Sequence, residues 1–452
     1  MNRDVLTQLQ AWKKNARRKP VILRGARQVG KTWALKRFGG DEYRDVAYFN
    51  FEEDKSIGSL FEKDRAPERI IRNLSLYRRA PILPGETLII LDEIQESNDA
   101  LNSLKYFRED GAGYHVAAAG SMIGVKLSAP GSFPVGKVEF LDMYPMMFPE
   151  FLEASGEPGL RRLLADTAEF RPYPEPFHVR LIELLRLYYF IGGMPEAVSM
   201  FLDRADLDAV RKVQRDILEG YVLDFAKHAP ASDIPKLSAI WESLPAQLGR
   251  ENKKFMYSAA RKGARAREYD DAMRWLCDAG LAIACHKVSA GKVPLKAYAD
   301  ASAFKLYAFD VGLLGALAGL SPRIVVEGDA VFRQFEGMFV ENYVAEQLRA
   351  VFGGEMHYWA SAGAAEVDFV FEVDGRVYPL EVKAGVNLRS KSLDSFARKY
   401  APPQLSRASL ENLKKDGNKA NFPLYAVHLF PGPGHGPSRF ATRMKEVLHA
   451  AR

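Results

Sequence analysis

The chain opens on a helical pattern. Val5, Leu6, Leu9 and Trp12 recur at spacings of three and four over residues 1–18, and Lys13, Lys14, Arg17 and Arg18 gather at the end where a helix dipole favours cations. The period then changes. Short apolar runs at 21–24, 46–51, 88–91 and 116–119 read as strands buried on both faces, and helical patterns at 33–38 and 67–79 lie between them. This alternation predicts a parallel sheet with helices on both faces. Gly156, Pro158, Gly159, Pro172, Pro174 and Pro176 crowd residues 152–180, a run of breakers that reads as a linker. An apolar helix over 181–201, broken at Gly192, Gly193, Met194 and Pro195, and a long helix over 206–227 follow as a lid or spacer.

The second half repeats neither pattern. Helices at 235–248, 257–260 and 268–280, the last ending on Gly280, precede strand runs at 281–288 and 295–299 around Gly291. Three helices and a hairpin predict a winged helix-turn-helix. Further on, an amphipathic helix at 339–348 is followed by strands at 366–371 and 377–383 joined by the turn residues Asp374 and Gly375.

Chemistry attaches to the first of these regions at the strand ends. Gly25, Ala26, Arg27, Gln28, Val29, Gly30, Lys31 and Thr32 form a Gly-x-x-x-x-Gly-Lys-Thr phosphate loop between a strand and a helix. The glycines let backbone N–H groups turn inward as a phosphate nest, Lys31 reaches the β- and γ-phosphates, and the Thr32 hydroxyl is a ligand for Mg²⁺. The strand at 88–91 runs into Asp92 and Glu93, carboxylates at the carboxyl edge of the sheet, where open α/β folds bind ligands. Asp92 is the expected Mg²⁺ partner, and Glu93, with Lys31, the expected catalytic group, orienting water for phosphoryl transfer. Ser121 follows the strand at 116–119, in place to sense the γ-phosphate or to serve as a plain turn residue.

With Ala119, Gly120 and Ser121, Phe133, Pro134, Val135, Gly136 and Lys137, Tyr144 and Pro145, and the run Phe148 to Phe151, these motifs resemble bacterial AAA-family ATPases whose C-terminal part is the domain of unknown function numbered 4143. The resemblance spans nearly the whole chain. It implies an AAA-type ATPase core using ATP, and it puts Lys137 where many relatives carry arginine.

A second constellation lies near the C-terminus. Glu341 on the helix, Asp368 on one strand, and Glu381 and Lys383 two apart on the next resemble the PD-(D/E)xK nuclease fold. Asp368, Glu381 and Glu341 are the expected metal ligands, and Asp368, Glu381 and Lys383 the expected catalytic set for Mg²⁺-dependent cleavage. Surface strands also carry Glu and Lys as an ordinary ion-pair face, so a silent site of the same fold stands beside the working one. Arg389, Lys391, Arg398 and Lys399 make the following helix basic.

Net charge is +6 and gains meaning only when located. Lys253, Lys254, Arg261, Lys262, Arg265 and Arg267 cluster on and before the presumed recognition helix, the clearest candidate contact to DNA phosphates, with a solvated face of a protein-binding module as the alternative. Hydrophobic content of 47% is that of a globular protein, and two cysteines, Cys277 and Cys285, support neither a disulfide framework nor a zinc knuckle. No signal peptide or membrane span is predicted, and a cytoplasmic location is expected.

The expected class is therefore α/β multidomain: an AAA-type P-loop ATPase domain at 1–155, a helical spacer at 156–234, a winged-helix-like domain at 235–325 and a PD-(D/E)xK nuclease-like domain at 326–452. The expected function is Mg²⁺-dependent ATP binding and hydrolysis by a protein that binds or acts on DNA, with the last domain a candidate Mg²⁺-dependent nuclease. The alternative is an ATP-dependent conformational regulator that binds a protein partner. Assembly of several copies is compatible with either.

Overall fold

The structure, a computed structural model, describes residues 1–62, 66–111, 113–121, 136–251, 253–322, 329–361, 363, 365–384 and 390–433, with 329–336 as backbone only. Phe133, Pro134, Val135, Arg389 and the tail from 434 lie outside the described residues. The chain divides into two compact units, Met1–Tyr144 with Asp278–Leu281, and Pro145–Cys277 with Ala282–Arg452.

In the first unit the elements run α1 (Val5–Lys14), β1 (Val21–Arg24), α2 (Lys31–Glu42), β2 (Asp45–Asn50), α3 (Pro67–Arg78), β3 (Thr87–Asp92), α4 (Asn98–Glu109), β4 (His115–Gly120) and β5 (Glu139–Asp142). The strands form one sheet in the order β2-β3-β4-β1-β5, and every pairing is parallel. Every residue of β3 and β4 is buried, as expected of strands covered on both faces. Ile22, Phe49, Ile70, Leu74, Leu91, Leu104 and Phe107 share one core, which fixes the strands and hence their carboxyl ends. Because β4 lies between β1 and β3, Ser121 sits at the end of the strand that separates the phosphate loop from Asp92 and Glu93. The sequence pattern missed β5, a four-residue edge strand whose residues are all half-buried, so no face of it is strongly apolar.

The second unit begins with the stretch expected as a linker. It contains two helices, α5 (Phe148–Ala154) and α6 (Pro158–Ala165), before α7 (Glu175–Ile191). Each of the three carries a proline in its first turn, where the missing N–H costs nothing, so these prolines start helices rather than break them. After α8 (Pro195–Arg204), α9 (Leu207–His228) and α10 (Ile234–Leu248), the short α11 (Tyr257–Ala260) and α12 (Ala266–Asp278) lead to β6 (Ala282–Val288) and β7 (Ala299–Ala308).

These two strands belong to a larger sheet. The second strand is longer and later than expected, 295–298 being a short 3-10 turn. With α13 (Val311–Leu317), α14 (Asp329–Phe352), β8 (Met356–Ala360), β9 (Glu366–Val373), β10 (Arg376–Val382), α15 (Lys391–Tyr400), β11 (Leu405–Ser409), β12 (Lys414–Asp416) and β13 (Lys419–Pro423), the chain builds an eight-stranded sheet in the order β12-β13-β11-β10-β9-β8-β6-β7. Cys285 to Val288 of β6 pair in parallel with Met356 to Trp359 of β8, so strand pairing crosses the expected boundary at 325/326. A two-stranded hairpin is marginal alone, and β6 is mostly buried, so its second edge is completed by β8. The turn between β9 and β10 is as expected, Asp374 and Gly375 both taking positive φ (50° and 70°) in a two-residue hairpin.

Candidate functional site

At the end of β1 the chain turns through Gly25, whose φ is +153° and whose absent Cβ would lie 2.0 Å from the Met143 carbonyl oxygen. Gln28 and Gly30 also take positive φ (65° and 97°), and α2 starts at Lys31 immediately after. The loop is curled as a phosphate nest requires. Lys31 is buried, and its Nζ donates to the carbonyls of Gly25 (2.9 Å) and Ala26 (2.7 Å). Burial pulls this ammonium down to about 8, against the opposing pull of Glu93 and Asp92. Gln28 is exposed, Val29 is buried, and Arg27 lies 3.7 Å from Glu52. One contributor went unread in the sequence: buried Arg3 donates from Nη1 to the Val29 carbonyl (2.8 Å) and from Nη2 to the Tyr144 carbonyl (2.7 Å), clamping the loop from outside.

The carboxylates stand beside the loop. Thr32 Oγ1 donates to Asp92 Oδ2 at 2.7 Å although the two residues are 60 apart in sequence. The Tyr48 hydroxyl donates to the same oxygen (2.8 Å), and the Glu93 N–H to Oδ1 (3.1 Å). Glu93 itself takes φ 49°. Its Oε2 accepts from Gln95 Nε2 (2.6 Å) and Ser121 Oγ (3.2 Å). Tyr48 is a site residue that no spacing rule marked, though it lies in a strand already identified. A hydroxyl and a carboxylate side by side fit Mg²⁺, which takes one or two protein oxygens and keeps its remaining positions for water and phosphate. Lys137 is ion-paired with Glu109 on α4 (2.9 Å).

The C-terminal constellation assembles differently. Lys383 Nζ lies 2.5 Å from Glu381 Oε1, and Ser390 Oγ bonds the other oxygen of the same carboxylate. Asp368 accepts the Val382 N–H at 2.8 Å. Glu341 is held by Lys305 (3.0 Å), Lys253 (2.5 Å) and the Tyr307 hydroxyl. Lys305, from β7, also lies 2.7 Å from Glu366 and 3.6 Å from Asp368. Burial works to raise the Glu341 carboxyl, but Lys305 and Lys253 outweigh it and hold it low; burial and the Glu341 charge raise Asp368. Among the described residues no three His, Cys, Asp or Glu side chains are grouped to hold a metal ion. Of the expected ligand set, Glu341 and Asp368 stand against the Lys305 ammonium, and Glu381 pairs with Lys383 apart from the other two.

The basic patch changes too. Lys253 is mostly buried and bound to Glu341 and to the Gly337 carbonyl (3.0 Å), so it faces inward rather than toward a phosphate backbone. Lys254, Arg261, Lys262, Arg265 and Arg267 are exposed, the last on the first turn of α12.

Three family models match parts of the chain. Residues 17–152 match the family model described as AAA domain, residues 182–324 a domain of unknown function, DUF8612, and residues 336–427 a domain of unknown function, DUF4143. The chain thus joins an AAA-type P-loop domain to a DUF4143 domain. Two curated relatives, uncharacterized proteins Rv2008c of Mycobacterium tuberculosis and Mb2031c of Mycobacterium bovis, are each 35% identical over 80 residues, 18% of this chain. The match spans only 17% of each relative's length. Among solved structures, the Walker-type ATPase PABY2304 of Pyrococcus abyssi is similar with a TM-score of 0.45 at 15% identity, over 70% of this chain and 95% of that one. The Aeropyrum pernix ORC1 protein in complex with DNA gives 0.27 at 16% identity, over 71% and 92%. Likeness this low says nothing of activity. Among the described residues no helix is long and apolar enough to cross a membrane.

Proposed function

We propose that the N-terminal domain binds ATP with Mg²⁺ and hydrolyses it. The observation that carries this reading is the meeting of Thr32 and Asp92 at 2.7 Å beside a curled phosphate loop, with Glu93 oriented by Gln95 and Ser121. In this reading Lys31 leaves the carbonyls of Gly25 and Ala26 for the β- and γ-phosphates, and loop N–H groups from Ala26 to Thr32 face the same oxygens. Glu93 positions the attacking water, and Ser121, bonded to Glu93, reports the state of the γ-phosphate position to it. Magnesium, when bound, would be held by Thr32 and Asp92 and would neutralise charge on the phosphates. Purified protein should release phosphate from ATP only with Mg²⁺, and Lys31→Ala should lose nucleotide binding; a wild-type protein that binds no ATP analogue at millimolar concentration ends the proposal.

For the second unit we propose DNA binding through Lys254, Arg261, Lys262, Arg265 and Arg267, supported by their exposure on and before α12. The ion-paired state of Glu341, Asp368 and Glu381 supports a binding or regulatory role over cutting. A protein partner in place of DNA is the outcome if duplex binding proves insensitive to salt and to these residues.

A further inference from the structure

We infer that the Glu341, Asp368 and Glu366 carboxylates gather around an internal ammonium, that of Lys305, in the place where the nuclease resemblance calls for a divalent cation. The C-terminal site therefore takes no Mg²⁺. This inference is independent of the ATP reading.

The argument starts from the lysine. Its side chain is only 2% exposed, and a buried ammonium persists only where it is paired and hydrogen-bonded. Three donors on one nitrogen meet Glu366 at 2.7 Å and Glu341 at 3.0 Å, with Asp368 at 3.6 Å as a longer ion pair. Those oxygens come from two separate elements, Glu341 from α14 and Glu366 and Asp368 from β9, around Lys305 of β7. A cation already stands at their common centre. Magnesium needs oxygens at about 2.0–2.1 Å in near-octahedral array, and an ammonium a few ångströms away would repel it strongly in a buried setting.

Further oxygens of the cluster are also engaged. Lys253 takes Glu341 Oε2, the Tyr307 hydroxyl takes Oε1, and the Val382 N–H takes Asp368 Oδ2. At Glu381, Lys383 and Ser390 hold one oxygen each. The cluster works as a staple: it ties β7, the chain before α11, α14 and β9 together through charge-assisted bonds. Lys305 lies outside every nuclease motif position, 36 residues before Glu341, so the motif residues stay intact while a lysine from a neighbouring strand fills their site.

Manganese(II) bound to the full-length protein, counted by electron paramagnetic resonance with and without a non-hydrolysable ATP analogue, tests this. Wild type should bind about one Mn²⁺ per chain, only with nucleotide, and lose it in Thr32→Ala, an arm that reports on the ATP reading alone. Lys305→Ala should gain a nucleotide-independent Mn²⁺ that disappears in the Lys305→Ala/Asp368→Asn double variant. Should Lys305→Ala not fold, Asp368→Asn in the wild-type background serves instead, and it should leave the Mn²⁺ count and plasmid integrity unchanged. Nucleotide-independent Mn²⁺ in wild type that Asp368→Asn removes would overturn the inference, as would a folded Lys305→Ala protein that gains no site.

Discussion

Ser121 and Glu93 share a hydrogen bond: the Ser121 hydroxyl lies 3.2 Å from Glu93 Oε2, joining the residue after β4 to the residue after β3. Gln95 holds the same oxygen at 2.6 Å. Two side chains thus fix the direction of this carboxylate. Glu93→Gln should therefore retain ATP affinity and lose roughly 10²–10⁴ in kcat, the usual range for a positioned acid–base group. Filter binding and phosphate release on the same preparation separate the two; an unchanged kcat removes Glu93 from the site.

Lys31 gives two pH dependences of opposite sign. Its folded value of about 8 lies below its ordinary 10.5, so between those values the unfolded chain binds more protons than the folded one. Stability of the nucleotide-free protein should accordingly rise with pH from about 8 toward 10.5, by up to ~3 kcal/mol for this group. Phosphates favour the ammonium, so nucleotide affinity should be full below pH 8 and fall above it, approaching tenfold per pH unit. Lys31→Met should flatten the difference in denaturant midpoints and lose most of the affinity.

Gly193 is packed as tightly as the phosphate loop. Its N–H donates to Asp310 Oδ2 at 2.6 Å, and an added Cβ would lie 2.2 Å from the Met146 carbonyl oxygen. Gly193→Ala should destabilise by about 1–3 kcal/mol or more, the cost of overpacking against backbone. Gly220, inside α9 with nothing within 4 Å of its would-be Cβ, should respond oppositely, Gly220→Ala stabilising by roughly 0.5–1 kcal/mol. Paired thermal melts decide it.

The cations around α12 should separate by environment. Changing exposed Arg261, Lys262 and Arg265 to Gln should weaken duplex binding and lower the salt slope by about one for each phosphate that the variant no longer neutralises. Lys253→Gln should act instead on stability, because it leaves the buried Glu341 carboxylate short of one of its two ammonium partners. Titration of labelled duplex at several salt concentrations, beside melts of each variant, checks both.

What the sequence determined by itself was local. The phosphate loop, Asp92 and Glu93, and the hairpin turn at Asp374 and Gly375 are each set by a few neighbouring residues with special backbone or charge requirements, and the fully buried β3 and β4 announce themselves as apolar runs. Prolines misled the reading at 152–180 because the same residue ends one helix and starts another, and only the position within the turn distinguishes the two.

Tertiary structure alone decided which strands pair and which charges meet. Nothing in residues 282–308 signals that β6 will join β8 as well as β7, since an open strand edge offers the same N–H and C=O groups to any partner. Arg3 beside Val29, Tyr48 beside Asp92, and Lys305 among Glu341, Glu366 and Asp368 are likewise products of the fold. Spacing reveals partners only within a turn or a strand, and a lysine brought from a distant strand to pair with several carboxylates leaves no periodic trace.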